Sequence, residues 1–102
     1  MERFGFFGKF LTKPGQRDVV LEYLREAAKL VSVLPGCKIY IISTVASEPD
    51  TICSMEVWDS EADHNASLQL ESVKAIVSKA RPLMAEGGEV VRMVPAFGKG
   101  LS

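Results

Sequence analysis

The 102 residues are 47% hydrophobic and 25% charged, with 12 Lys+Arg against 13 Asp+Glu and a formal net charge of -1. That balance belongs to a folded chain rather than a disordered one, and its length predicts one domain over residues 1–102. Without a Lys/Arg run there is no electrostatic footprint for nucleic acid, and no stretch approaches the ~20 apolar residues that cross a bilayer. The apolar patch near Phe4–Phe7 is cut by glycines and Lys9, too short for a signal-peptide core, so a cytoplasmic protein is expected.

The first predicted strand runs from Arg3 to Thr12, with Phe4, Phe6, Gly8 and Phe10 on one side and Phe7, Lys9 and Leu11 on the other. Gly5 and Gly8 within it permit close approach or a bulge rather than phosphate binding. After Lys13-Pro14-Gly15, the apolar positions Val20, Leu21, Leu24, Ala27, Ala28 and Val31 recur at three- and four-residue steps, one face of a helix from Gln16 to Leu34. Pro35-Gly36 stops it. Cys37–Ala46 and Thr51–Trp58 are rich in Ile, Val, Thr and aromatics and flank Ser47-Glu48-Pro49-Asp50, which predicts an antiparallel hairpin. Ser60 then caps a second helix, with Glu61 and Asp63 in its first turn, where the helix dipole favours acids. Its apolar line is Leu70, Val73, Ile76, Val77, Ala80 and Met84, bent or shortened by Pro82 and ended by Gly87-Gly88. Glu89–Phe97 is the last predicted strand, before a tail with Gly98, Gly100 and Leu101.

The order β-α-β-β-α-β predicts an α+β, ferredoxin-like fold, with two helices on one face of a four-stranded antiparallel sheet. Strand two turns Cys37, Ile39, Ile41 and Val45 one way and Tyr40, Ile42 and Ala46 the other, so both of its faces are apolar. A sheet with one wet face alternates cleanly, so the second face is expected to pack against another copy in a twofold homodimer, a dimeric α+β barrel. Cys37 and Cys53 fall on neighbouring strands with Cys53 opposite about Ser43 to Val45 and Cys37 near the far end, beyond disulfide reach, so both are expected as free thiols. Neither has the partners of a metal site, and no P-loop, G-x-G-x-x-G or nucleophile elbow is present.

Lys13-Pro14-Gly15-Gln16, Leu34-Pro35-Gly36-Cys37 and Glu56-Val57-Trp58-Asp59-Ser60-Glu61-Ala62 closely resemble the antibiotic biosynthesis monooxygenase family, which includes quinol monooxygenases; the likeness runs from Phe4 to Pro95. The resemblance implies the dimeric α+β barrel. It also implies a cofactor-independent monooxygenase, with no metal or flavin, oxidising a quinol-like or phenolic aromatic with O2. Ground-state O2 reacts slowly with closed-shell molecules until a substrate anion gives it an electron. The protein's task is therefore to remove a phenolic proton, stabilise the anion and exclude water. An alternative within the same fold is a non-oxidative small-metabolite binder or isomerase-like protein. Haem degradation fits less well, because such relatives use an asparagine on the first strand, where Phe6 and Phe7 stand, and a histidine further along the second helix than His64.

Trp58 matches the family's Glu-x-Trp motif and offers a stacking surface with one N–H donor, although it can equally be a core filler. His64 is the sole histidine, the side-chain type suited to proton transfer around neutral pH, and its place in the first turn of the second helix makes it the candidate proton-handling residue. Asn65 beside it is expected to point elsewhere. Alternation puts Ser54 and Glu56 on the side of Trp58, as candidate substrate contacts with Tyr40 and Phe6. Glu56 is a candidate base, or a structural carboxylate tied to Arg92 or Lys38. Tyr40 is also read as sheet packing, Arg81 as a solvated helix charge, and Phe4, Phe6, Phe7 and Phe10 chiefly as core and dimer packing. Catalytic relatives that oxidise polycyclic phenols carry an asparagine and a tyrosine near the places of Ser54 and His64.

Overall fold

The structure, a computed structural model, describes residues 2–101. Strands β1 (Phe4–Thr12), β2 (Cys37–Val45), β3 (Glu48–Trp58) and β4 (Met84–Met93) form one antiparallel sheet in the order β2-β3-β1-β4. Helices α1 (Arg17–Val31), α2 (Glu61–Ser67) and α3 (Glu71–Ala80) pack on one face, which gives the expected ferredoxin-like α+β fold. The core between the layers is built on Phe4, Val31, Trp58 and Val73. Cys37 and Cys53 are free, with Cys53 opposite Ser43 and Cys37 at the other end of the hairpin opposite Trp58.

Four local features differ from the sequence expectation, each for an identifiable reason. The hairpin turn is tighter than expected, because β3 begins at Glu48 and carries Pro49 and Asp50 within it. The pairing shifts between Cys37 and Ile39, so Cys37 sits on the helix side with the core cluster instead of sharing the outer face with Ile39. The second helix is two. The inner face of α2 is His64 and Ser67; continued at 3.6 residues per turn it would bury the charged Glu71 and Lys74. The break at Leu68–Leu70 re-phases the chain so that Val73, Ile76 and Ala80 turn inward. Pro82 shortens the helical stretch as expected, falling in a 3-10 turn, Arg81–Leu83, just beyond α3.

Gly87-Gly88 does not terminate a helix; it lies inside β4, which starts at Met84 and ends at Met93. The β1–β4 register slips between Lys9 and Leu11. There Gly87 takes φ +105°, and a Cβ on Gly88 would lie 2.5 Å from the Lys9 carbonyl oxygen, so the bulge needs both glycines.

Directly paired residues share a face of the sheet. The helix side therefore carries the row Tyr40–Glu56–Phe6–Arg92 and, next to it, Ile42–Ser54–Gly8–Val90. The opposite side carries Ile41–Met55–Phe7–Val91 and Ile39–Val57–Gly5–Met93.

Candidate active site

At the end of β3, alternation turns Ser54, Glu56 and Trp58 towards the helices, and all three are buried. Ser60 follows as the helix cap: its Oγ accepts from the Asp63 N–H at 3.1 Å, as its position before Glu61 predicts. This cap fixes the direction in which α2 leaves the strand. The helix turn then brings His64, four residues after the cap, back over the sheet.

The cluster is organised around the Glu56 carboxylate. Ser54 Oγ donates to Glu56 Oε2 at 2.8 Å, and Trp58 Nε1–H donates to Glu56 Oε1 at 3.0 Å. His64 Nε2 lies 3.8 Å from the same Oε1, close enough for strong electrostatic interaction but beyond hydrogen-bond reach. Glu56 is tied to neither of the cations first expected. Lys38 Nζ instead lies 3.6 Å from Asp59 Oδ2 and donates to the Pro35 carbonyl, while Arg92 sits two strands away on β4.

Asn65 also departs from expectation, since its Oδ1 lies 3.1 Å from His64 Nδ1. With Nδ1–H donating to that oxygen, Nε2 is the nitrogen left to exchange a proton, and it faces the carboxylate. The imidazole is enclosed by aromatic rings: Phe6 stacks on it with centroids 5.3 Å apart, Phe4 is tilted at 5.0 Å, and Trp58 meets it edge-on at 5.9 Å. His64 is 7% exposed, whereas Phe6 above it is only partly buried.

Phe6 and Phe10 converge over Gly8. A Cβ there would overlap the Phe10 ring and come within 2.9 Å of Phe6 Cε1, so glycine lets both rings lie down against the strand. They form an aromatic shelf beside His64. Tyr40 enters the same row from β2 and packs against the core cluster; burial first, then the Glu56 carboxylate and Cys37, push its phenol well above the usual tyrosine range. Burial and Glu56 likewise raise the Cys37 thiol, with Lys38 opposing, so both groups stay protonated near neutral pH. Beside the cluster, a cleft of about 330 Å³ is lined by Trp58 itself together with Leu34–Gly36, Asp59, Asp63 and Leu70. Among the described residues, no group of three or more His, Cys, Asp or Glu could hold a metal ion, and no helix is long and apolar enough to cross a membrane.

The structure thus brings together Ser54, Glu56, Trp58, His64 and Phe6, and places Tyr40 in the row of Glu56. The sequence reading missed Asn65 as a partner of the imidazole, and the adjacency of the two residues was the one signal for it. Phe10 was read as packing, although its spacing from Gly8 and Phe6 marks the shelf.

The family model for antibiotic biosynthesis monooxygenases matches residues 5–79, which span β1 through nearly all of α3. Among solved structures, a candidate antibiotic biosynthesis monooxygenase from Chloroflexus aurantiacus J-10-fl is 40% identical, with TM-score 0.87 over 98% of this chain and 99% of that one. Family namesakes from Nitrosomonas europaea (TM-score 0.88) and Caulobacter crescentus CB15 (0.86) are each 16% identical and cover 94% of this chain and 92% of theirs; they share the fold. No curated protein matches the chain. With 75 of its 102 residues inside the family model and a 40% identical relative spanning nearly its whole length, the chain belongs to the antibiotic biosynthesis monooxygenase family.

Proposed function

We propose that the protein is a cofactor-independent monooxygenase acting on a quinol-like or polycyclic phenol. The observation that carries this reading is the buried Glu56–Trp58–His64 cluster with Phe6 stacked on its imidazole, in a chain of this family. A planar phenol stacks on the shelf and, as Phe6 rotates aside, directs its hydroxyl to His64. Nε2 takes the proton, and Glu56, held in place by Ser54 and Trp58, balances the imidazolium. The phenolate gives one electron to O2 and the radical pair recombines at carbon; loss of water from the hydroperoxide leaves a carbonyl. One oxygen atom enters the ring, the other leaves as water, and all four electrons come from the substrate. The apolar walls of Phe4, Phe6 and Trp58 keep bulk water from the anion.

The working unit we propose is a homodimer through the outer sheet face. Ile41, Met55, Val91 and Met93 lie on that face and are between 44% and 47% exposed, in two rows that cross all four strands. A continuous apolar surface of this kind on a two-layer domain fits a second copy of itself.

O2 uptake by the protein with reduced quinones and polycyclic phenols, corrected for autoxidation, tests the activity. Saturable uptake that falls at least 100-fold in His64→Ala, with the fold intact, is the expected result, on the scale of losing a general base. No uptake above background across the panel refutes the oxygenase reading and favours the non-oxidative metabolite binder. Full activity in His64→Ala refutes the proton-handling role.

A further inference from the structure

The helix layer does not cover the sheet evenly. Helices α1 and α2 make their closest approach to β2 and β3, and β4 is exposed along its length beyond Leu83 and Met84, including Val90 and Arg92 on the helix side. On this open edge of the helix side, Arg92 pairs directly with Phe6. In the row Tyr40–Glu56–Phe6–Arg92, Arg92 is the only cation. No carboxylate lies within 4.0 Å of it among the described residues, so its guanidinium is not already engaged by an acid.

Neighbouring strands lie roughly 4.8 Å apart, so about 10 Å separates the backbone at Glu56 from that at Arg92. A fused two- or three-ring aromatic on the shelf has one end at His64 and the other within reach of the guanidinium, whose planar fork matches a carboxylate. We propose that Arg92 is a specificity-determining residue and that the preferred substrate is a planar phenol with a carboxylate on the ring end opposite its hydroxyl. This rests on the reading of the helix-side cluster as the substrate site, and adds the chemical class that the site selects.

Anaerobic calorimetric titration with 6-hydroxy-2-naphthoate and with 2-naphthol isolates the carboxylate on one ring frame. The protein is expected to bind the acid about tenfold more tightly, the lower end for a hydrogen-bonded charge at a partly exposed site. Arg92→Gln should remove that preference and leave 2-naphthol binding unchanged, and Arg92→Lys should restore part of it. Equal binding of the two probes, binding of neither, a preference that survives in Arg92→Gln, or equal weakening of both overturns the proposal. Because the titration needs no turnover, the two readings fail separately. An Arg92-dependent preference without O2 uptake refutes the oxygenase and keeps the acid site; O2 uptake with neutral quinols, together with equal binding of the two naphthols, does the reverse.

Discussion

Trp58→Phe is the sharpest test of the cluster as a physical object. Trp58 is 1% exposed, and its indole N–H is one of two donors that hold a buried carboxylate. Phenylalanine keeps an aromatic ring in the core but removes the donor. Losing a hydrogen bond to a charged acceptor costs about 1.5–3 kcal/mol. Contraction from two fused rings to one leaves a void of roughly 40 Å³, worth about 1 kcal/mol at ~24 cal/mol per Å³. The sum is about 2.5–4 kcal/mol, a large share of the ~5–15 kcal/mol that holds a domain together, and lowers Tm by roughly 10–20 °C. Urea unfolding must be followed by far-UV circular dichroism, because Trp58 is the only tryptophan. A Glu56→Gln background sharpens the reading. There the acceptor is neutral and its bond to the indole is worth about 0.5–1.5 kcal/mol, so the same Trp58→Phe step should cost about 1 kcal/mol less. If Trp58→Phe costs about 1 kcal/mol in both backgrounds, only the void is being measured, and the carboxylate is not held by the indole.

The remaining predictions concern assembly and titration. Met55→Asp places a charge in the middle of the outer apolar face without touching the helix side, and should turn a dimer into a folded monomer; sedimentation that shows an unchanged dimer ends the face-to-face model. The raised pKa of Tyr40 in the fold means that the native state favours its neutral phenol. That stabilisation is complete below the unfolded tyrosine's pKa near 10 and is lost as pH rises through the folded value. Ultraviolet titration should show at least one phenol that the urea-unfolded chain ionises by about pH 11 and the native protein does not; coincident curves would mean that Tyr40 is not shielded by burial and Glu56.

Much of this molecule follows from short-range physics. Period-2 alternation along β1 and β3 assigns each side chain to a face, which is why Ser54, Glu56 and Trp58 could be grouped from the sequence and are found together. The Ser60 cap and the three- and four-residue apolar spacing of α1 are local signals of the same kind, and both appear where their chemistry places them.

What the sequence did not determine depends on partners distant along the chain. Gly87-Gly88 reads as a helix stop until β1 lies beside it, because the close approach that needs glycine is to the Lys9 carbonyl, nearly 80 residues earlier. The break between α2 and α3 has no glycine or proline to announce it; it follows from the need to bury His64 and Val73 against one core. Glu56 could have paired with Lys38, with Arg92 or with neither, since charge alone does not choose. Strand order and the exit angle of α2 set Trp58 and His64 against its carboxylate and left Arg92 two strands away on the edge strand. Local pattern decides which face a residue occupies, and only the assembled sheet and helices decide which residue it meets there.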